Sequence, residues 1–547
     1  MAIESPTPCQ FPRMSSLEAS LSKILEQLPV AYTAPEDAGV IVTGVALDSR
    51  AVVPGDLFVS LVGDSVDGHD FIPQAIRNGA VAIAGERPLR NLGIPYVRLA
   101  SARGALSWIA AAFYDWPGRK MRVIGVTGTD GKTTTTNLIY QILRAAGIKA
   151  GMISTVNAVI ADEQLDTGFH VTTPDAPDVQ RYMARMVDAG LTHAILETTS
   201  HGWAQHRVDA CEFDIGVVTN ITHEHLDQHG SYENYRAAKA RLFASLEHTH
   251  PKPGGGPPLA IVNRDDSSFE YLDHLIKVKK LSYGFSRKAS LRPLDVVAEP
   301  DGTRFTASCG SLRVGISTSL QGDYNVSNCL AALAATVLGL GIEPAIAARG
   351  IGAMKGVPGR MERIEEGQEF VAIVDFAHTP NALKVTLEAA RKLVRRVGSE
   401  GRLIVVIGSA GLRDREKRRM MAETASELAD LTVLTAEDPR SESLDGILAE
   451  MANGAKSNGG REGETFWRIP DRGEALRFAT RLARAHDIVL ACGKGHEQSM
   501  CFGSREFPWD DRIAMRAALA ELLRVEGPRM PYLPTSDKTD GEWLALR

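Results

Sequence analysis

Apolar runs recur along the chain with amphipathic stretches between them. Met121–Val126 reads as a short buried strand, and from Lys132 to Ala145 the apolar positions Leu138, Ile139, Ile142 and Leu143 fall at helical spacing. The alternation continues with "HAILETTS" (193–200), "DIGVVTNIT" (214–222) and "LAIVNRD" (259–265), each a buried strand followed by a helical stretch. This pattern predicts a doubly wound, mostly parallel sheet. A second series, "EFVAIVDFAH" (369–378), "RLIVVIGSAG" (402–411), "LTVLTAEDPR" (431–440) and "DIVLACGKG" (487–495), predicts another open sheet, Rossmann-like, with functional loops at its strand C-termini. Ahead of both, the chain mixes short strands and helices, as in "GVALDSRAVVPGDLFVSLVG" (44–63).

The predicted organisation is therefore α/β with three domains. A small N-terminal α/β domain covers 1–115, with 1–14 disordered and Met14 an alternative start. A central domain of P-loop type covers 116–345, with "HPKPGGGPP" (250–258) as a surface loop, and a C-terminal domain covers 346–525. Residues 526–547, rich in Pro, Asp, Thr and Lys, read as a loose tail.

Composition narrows the function. A chain of 547 residues, 44% of them hydrophobic, can supply several cores. Its net charge of -6 gives no electrostatic footprint for nucleic acid or an anionic membrane. There is no apolar run of about 18 residues and no basic start followed by an apolar core, so neither a membrane span nor a secretory signal is predicted. The six cysteines form no C-x-x-C pair and read as reduced thiols of a cytoplasmic protein. Small molecules are the expected partners, with a monomer as the default state.

The chemistry begins at "VTGTDGKTTTT" (126–136), between the first central strand and its helix. It lacks the first glycine of the usual G-x-x-x-x-G-K-[ST] pattern, since Val126 stands there, but keeps Gly128, Gly131, Lys132 and Thr133. Glycines at a strand-to-helix turn let backbone N–H groups face an anion at the helix N-terminus. Lys132 can meet the β- and γ-phosphates of ATP, and the Thr133 or Thr134 hydroxyl can meet Mg²⁺. Other strand ends bring Glu197, His201, His206, His223, His225, Asp227 and His229 toward this loop. Glu197 with one histidine suits Mg²⁺. The H-x-H and H-x₃-H spacings leave zinc as an alternative, without any cysteine to support it. Lys239, in "NYRAAKARLF" (234–243), reads by itself as a solvated helix lysine.

A set of motifs then occurs in one order: T-G-T-x-G-K-T, "TTPDA", "ETTSHGWAQHR", "NITHEHLDQHG", "YRAAK", "GDYNVSN", "VPGRME", "VDFAHTP" and "CGKGHE". In these the chain resembles the Mur ligase family over roughly residues 30 to 515. The resemblance implies an ATP-dependent amide ligase that adds the third amino acid of the peptidoglycan stem peptide to UDP-N-acetylmuramoyl-L-alanyl-D-glutamate, and it explains the shortened phosphate loop. It implies that Gly128, Thr129, Asp130, Gly131, Lys132, Thr133 and Thr134 hold the ATP phosphates, with Asn325, Arg360 and Asp375 lining the adenine and ribose cleft. It implies Lys132, Glu197, His225 and Lys239 as catalytic residues, and Thr133, Glu197, His225 and Lys239 at the metal, the lysine carbamylated to N6-carboxylysine. Ser49, Thr172, Thr173, Thr199, Gln205 and Arg207 match the UDP-substrate site. The chain departs from the family with Asp130 for Asn, Val171 for Asn and Thr199 for Ser. The two ATP-facing domains, joined near 345, are expected to close over the reaction and exclude water.

Arg413, Glu437, Asp438, Pro439, Arg440, Gly493 and Glu497 match the amino-acid site. The diaminopimelate-adding enzymes carry D-N-P-R where this chain has Glu437-Asp438-Pro439-Arg440. An ionised Asp438 offers no donor to a distal carboxylate. The reading therefore favours L-lysine or L-ornithine over meso-diaminopimelate. Two alternatives differ in class. A folylpolyglutamate synthetase-type ligase is opposed by "LDSR", "TTPDA" and "HGWAQHR". A non-catalytic nucleotide-binding scaffold is opposed by intact Lys132, Glu197, His225 and Lys239.

Overall fold

The computed structural model describes residues 17–35, 37–63, 66–161, 163–165, 173–222, 230–252, 254–299, 302–397 and 400–536. They form two compact units, one of residues up to Thr318 with Asp323–Met354, the other of Ser319–Gly322 and the chain from Lys355 on.

The first unit contains a five-stranded sheet in the order Tyr32–Thr33, Tyr96–Leu99, Ala82–Gly85, Asp56–Val59, Gly44–Ala46, parallel except at its Tyr32–Thr33 edge. Leu57, Val59, Ala82 and Val97 share a core with Ala105, Leu106 and Ile109 of the helix Ala102–Phe113. The same unit holds an eight-stranded sheet. Its parallel part runs Ala150–Ile153, His193–Glu197, Arg122–Thr127, Ile215–Val218, Leu259–Asn263, Lys279–Tyr283. Two short antiparallel strands, Ala158–Ile160 and Glu163–Leu165, close one edge. Successive strands fall first on one side of Arg122–Thr127 and then on the other, so strand order reverses there. In such sheets ligands bind outside the strand carboxyl ends at the reversal. An antiparallel meander, Arg292–Glu299, Gly302–Cys309 and Leu312–Thr318, follows.

The second unit is a six-stranded sheet in the order Glu362–Ile364, Val371–Asp375, Ile488–Cys492, Leu403–Ile407, Leu431–Leu434, Phe466–Arg468, antiparallel only at Glu362–Ile364. The strands Leu403–Ile407 and Ile488–Cys492 are buried throughout, as a parallel sheet covered on both faces requires. One core takes Leu383, Leu387, Met421 and Met451; the opposite core takes Leu476, Ala479, Met515 and Leu519.

Residues 526–536 differ from the loose tail that their composition predicts. Leu533 is fully buried, and the hydroxyls of Thr535 and Ser536 donate to Asp471 Oδ2 at 2.8 and 2.9 Å. Residues 537–547, and the expected disordered start at 1–14, lie outside the described residues. The five described cysteines are all free thiols, and no described helix is long and apolar enough to cross a membrane.

Candidate active site

The strand Arg122–Thr127 delivers the chain into the turn 128–131, and the helix Lys132–Ala145 begins at once. Gly128 has φ +147° and Gly131 φ +80°, a backbone that L side chains rarely adopt. Space is lacking as well: a Cβ at Gly128 would stand 1.9 Å from Thr219 Oγ1, and one at Gly131 would stand 2.4 Å from Asn328 Oδ1. Neighbouring strand ends fix the loop. The Thr129 N–H donates to the Asn220 carbonyl at 2.7 Å and the Asp130 N–H to Asn220 Oδ1 at 2.9 Å. The Asp130 carbonyl accepts from Thr219 Oγ1 and Asn220 Nδ2. Asp130 thus serves the loop through its backbone, which an Asn in its place would serve equally. Lys132 Nζ donates to the Thr129 carbonyl at 2.8 Å and so lies over the turn.

Glu197 ends the adjacent strand and is almost completely buried. Its carboxylate accepts from Thr133 Oγ1 at 3.0 and 2.9 Å, from the Thr155 N–H at 3.0 Å and from Thr155 Oγ1 at 2.8 Å. A hydroxyl and a carboxylate side by side at a phosphate loop are the oxygen donors that Mg²⁺ takes beside a nucleotide. The two-glycine cradle and this oxygen pair fit a metal–nucleotide. His225, with His223, Asp227 and His229, lies outside the described residues, as does the histidine spacing that raised zinc. Among the described residues no group of three His, Cys, Asp or Glu is placed to hold a metal. His206 has a structural setting: its Nδ1 lies 2.7 Å from Asp209 Oδ2.

Lys239 corrects the reading of a solvated lysine. It is 2% exposed, and its Nζ donates to the Gly128 carbonyl at 2.6 Å and sits 4.5 Å from the Tyr235 ring centroid. Tyr235 OH meets Thr129 Oγ1 at 2.9 Å. The signal was in the sequence: Lys239 follows Tyr235 by one helical turn and precedes Leu242 by three residues, on the buried face.

Thr173, Thr199, Gln205 and Arg207 come together. The Thr173 and Thr199 hydroxyls are 3.1 Å apart, and Thr199 caps the helix Ser200–Ala204 through the Gly202 N–H. Arg207 donates to the Thr173 carbonyl at 2.6 Å and to Gln205 Oε1 at 3.1 and 2.7 Å, and its Nε lies 3.2 Å from Asp175. Thr172 lies outside the described residues. Ser49 stands in the N-terminal sheet region, donating to Gln74 Oε1 at 3.0 Å. Thr134 is buried on the first turn of the loop helix. Asn325 accepts from Asn328 Nδ2 at 3.1 Å, and Asn328 touches both Thr135 and the space over Gly131, tying a second helix to the loop. Thr155 lies outside the quoted motifs, and Asn220, Tyr235 and Asn328 lie within them but were given no role of their own.

In the other unit, Asp375 accepts from the N–H groups of Met361 and Ala377 at 2.7 and 2.9 Å. Arg360 lies over the Phe376 ring at 4.5 Å, and His378 and His496 flank that ring at 4.5 and 4.7 Å. Burial pushes both histidines down to about 3, so both are neutral. The segments "VPGR", "VDFAH" and "CGKGHE" thus meet. Glu437 is buried with Oε2 unpartnered, and burial raises its carboxyl to about 7. Asp438 and Arg440, flanking Pro439, both have positive φ. The Asp438 carboxylate is engaged: Lys494 Nζ lies 3.0 Å from both its oxygens, and the Cys501 N–H donates to it at 2.9 Å. Lys494 also meets Glu497 at 2.5 Å. Burial pulls the Lys494 ammonium down, but the two carboxylates outweigh it and raise it. The Gly493 N–H donates to the Asp375 carbonyl at 3.2 Å, and Arg413 stands exposed in the loop after Leu403–Ile407.

A reversal-point phosphate loop beside a buried carboxylate defines the class, a nucleotide-binding protein of P-loop type. Three family models match in order: "Mur ligase family, catalytic domain" at 41–114, "Mur ligase middle domain" at 126–336, and "Mur ligase, glutamate ligase domain" at 359–495. A UDP-N-acetylmuramyl-tripeptide synthetase of Roseiflexus sp. (strain RS-1) is 44% identical over 490 residues, 88% of this chain and 95% of that protein. A UDP-N-acetylmuramoyl-L-alanyl-D-glutamate–2,6-diaminopimelate ligase of Geobacillus thermodenitrificans (strain NG80-2) is 40% identical, over 92% of this chain and 99% of that protein. A solved structure of a ligase of the latter name superposes with TM-score 0.60 at 30% identity, over 88% of this chain and 95% of that one. A MurF ligase from Thermotoga maritima in complex with ADP shares the fold at TM-score 0.56 and 20% identity, over 82% of this chain and 93% of that one. The chain belongs to the Mur ligase family. It is an ATP-dependent ligase of peptidoglycan biosynthesis with the three-domain α/β fold of that family, whose members use ATP and Mg²⁺.

Proposed function

We propose that this enzyme adds the third amino acid, a diamino acid, to UDP-N-acetylmuramoyl-L-alanyl-D-glutamate in the cytoplasm, acting as a monomer. The observation that carries this reading is the convergence of Thr173, Thr199, Gln205 and Arg207 on the strand that ends in Glu197, which accepts from Thr133 of the phosphate loop. A carboxylate does not acylate an amine in water without activation. The γ-carboxylate of the D-glutamate attacks the γ-phosphorus of ATP, forming an acyl phosphate and ADP. The incoming amine then attacks the acyl carbon, and phosphate leaves with the former carboxylate oxygen. Lys132 moves from the Thr129 carbonyl to the transferred phosphoryl group and stabilises its developing charge. Thr133 and Glu197, with His225, would hold Mg²⁺, which when bound would supply positive charge against the phosphates. Arg207, already oriented by Gln205, is the cation for the nucleotide substrate.

Carbamylation of Lys239 belongs to the same reading. A carboxylate on this buried chain would face the phosphate loop as a metal-side anion. Protein equilibrated with ¹³C-bicarbonate should show a carbamate resonance that is lost in Lys239→Arg; its absence from the wild-type protein sinks the modification.

L-lysine or L-ornithine is favoured over meso-diaminopimelate. Because Lys494 neutralises Asp438, the support is not free negative charge but the missing amide donor at position 438. The second reading, meso-diaminopimelate, draws on Arg440 and on the names of relatives 36–40% identical. Phosphate release with ATP, Mg²⁺, the nucleotide substrate and each amino acid in turn decides. Faster turnover with meso-diaminopimelate overturns the preference, and no release from folded protein overturns the ligase reading for this substrate.

A further inference from the structure

The helix Tyr232–Ser245 carries two cations that the phosphate loop and the substrate turn use separately. Lys239 reaches the loop at the Gly128 carbonyl. Arg241 lies two residues on, which on an α-helix is about 200° around the axis, so it leaves from another side. Its guanidinium donates to the Trp203 carbonyl at 2.6 Å, to Asp209 Oδ2 at 2.9 Å, and lies 2.9 Å from His206 Nδ1. Trp203 is nearly the last residue of the short helix Ser200–Ala204, and its carbonyl also accepts the His206 N–H at 3.2 Å. A cation at a helix C-terminus satisfies carbonyls that the helix leaves open.

Directly after that helix the chain makes a costly turn. His206 has φ +56°, in the left-handed region where a histidine is strained. The turn must be imposed by its surroundings, and Arg241 with Asp209 grips its side chain and the carbonyl before it. On either side of His206 stand Gln205 and Arg207, whose side chains bond to each other, with Arg207 also donating to the Thr173 carbonyl.

We propose that Arg241 is a positioning residue, one that holds the strained turn at His206 so that Gln205 and Arg207 are presented together to the UDP-muramoyl-dipeptide. This rests on the proposed assignment of Gln205 and Arg207 to that substrate. Arg241 does not touch substrate; it acts through the Trp203 carbonyl and the His206–Asp209 pair. Because the same helix carries Lys239, the turn and the phosphate loop are held by one rigid element.

The test is steady-state kinetics on the full-length protein with the UDP-muramoyl-dipeptide, ATP and the amino acid varied separately. Arg241→Met keeps the apolar stem and should raise KM for the nucleotide substrate about tenfold, with kcat and KM for ATP changed by no more than about twofold. Arg241→Lys, with one compact donor group, should recover part of the loss. Asp209→Asn should raise the same KM, and the double variant should fall short of the product of the two effects. Arg207→Met is the control for the underlying assignment. If Arg207→Met raises KM and Arg241→Met does not, the positioning role is wrong while the site stands. If Arg207→Met leaves KM unchanged, the site assignment itself fails. A uniform loss in kcat and in every KM for Arg241→Met would mark a merely structural arginine and overturn the proposal. Should Arg241→Met not fold, Arg241→Lys and Asp209→Asn decide on the same KM.

Discussion

At Gly131 the backbone has φ +80° and Asn328 Oδ1 occupies the place of a side chain. Gly131→Ala therefore meets a left-handed backbone cost of roughly 1–2 kcal/mol and a collision with the loop's own support. ADP affinity should fall at least about tenfold by titration calorimetry, with the circular dichroism unchanged. Unaltered affinity would mean the loop does not cradle phosphate in this conformation. Glu437 makes a different prediction. Burial raises its carboxyl from 4.5 to about 7, so the folded state binds its proton more tightly than the unfolded chain. Its contribution to stability is complete below pH 4.5 and is lost as pH rises to about 7. Glu437→Gln removes that loss, so melting temperature should decline less across this window in the variant. Parallel curves would show that the buried carboxyl is not proton-linked to folding.

Among the elements, the strand ends of the second unit that precede Glu437 and Gly493 depend on a buried pair. Arg472, fully buried, bonds Asp511 through two nitrogens at 2.7 and 2.6 Å and donates to the Ala436 and Cys492 carbonyls, which precede Glu437 and Gly493. Arg472→Met leaves Asp511 buried without its cation, with the Trp509 indole N–H still donating to it, and breaking such a pair costs about 3–5 kcal/mol. Urea unfolding should show a loss of that order; a change below about 1 kcal/mol would mean the pair adds nothing beyond packing. The elements also show what a sequence can reveal. The phosphate loop and the strand ends were readable because glycine spacing and apolar runs are local signals. Lys239 was misread as solvated, although its place on the Tyr235–Leu242 face carried the signal. The pairing of Asp438 with Lys494 was not, because the two are brought together only by the sheet order that sets Ile488–Cys492 near Leu431–Leu434. Nor was the docking of 526–536, whose Pro-rich composition hides one buried leucine and two hydroxyls aimed at Asp471.

For the whole molecule, each of the two units has its own sheets and cores, and the residues that family resemblance assigned to one reaction are distributed between them. The unit with the phosphate loop carries Glu197, Lys239 and the Thr173–Arg207 cluster; the other carries Asp375, Arg360 and the Glu437–Arg440 segment. The proposed reaction, a carboxylate activated by ATP and then captured by an amine, would draw on residues of both units. The most direct measurement follows the carboxylate oxygen. UDP-N-acetylmuramoyl-L-alanyl-D-glutamate labelled with ¹⁸O in its γ-carboxylate is turned over with ATP, Mg²⁺ and the preferred diamino acid, and the released phosphate is analysed by mass spectrometry. One ¹⁸O in each phosphate, matched by one amide in the product, is the predicted result. Phosphate released without ¹⁸O, or no amide formed by folded protein, would contradict the acyl-phosphate ligase account.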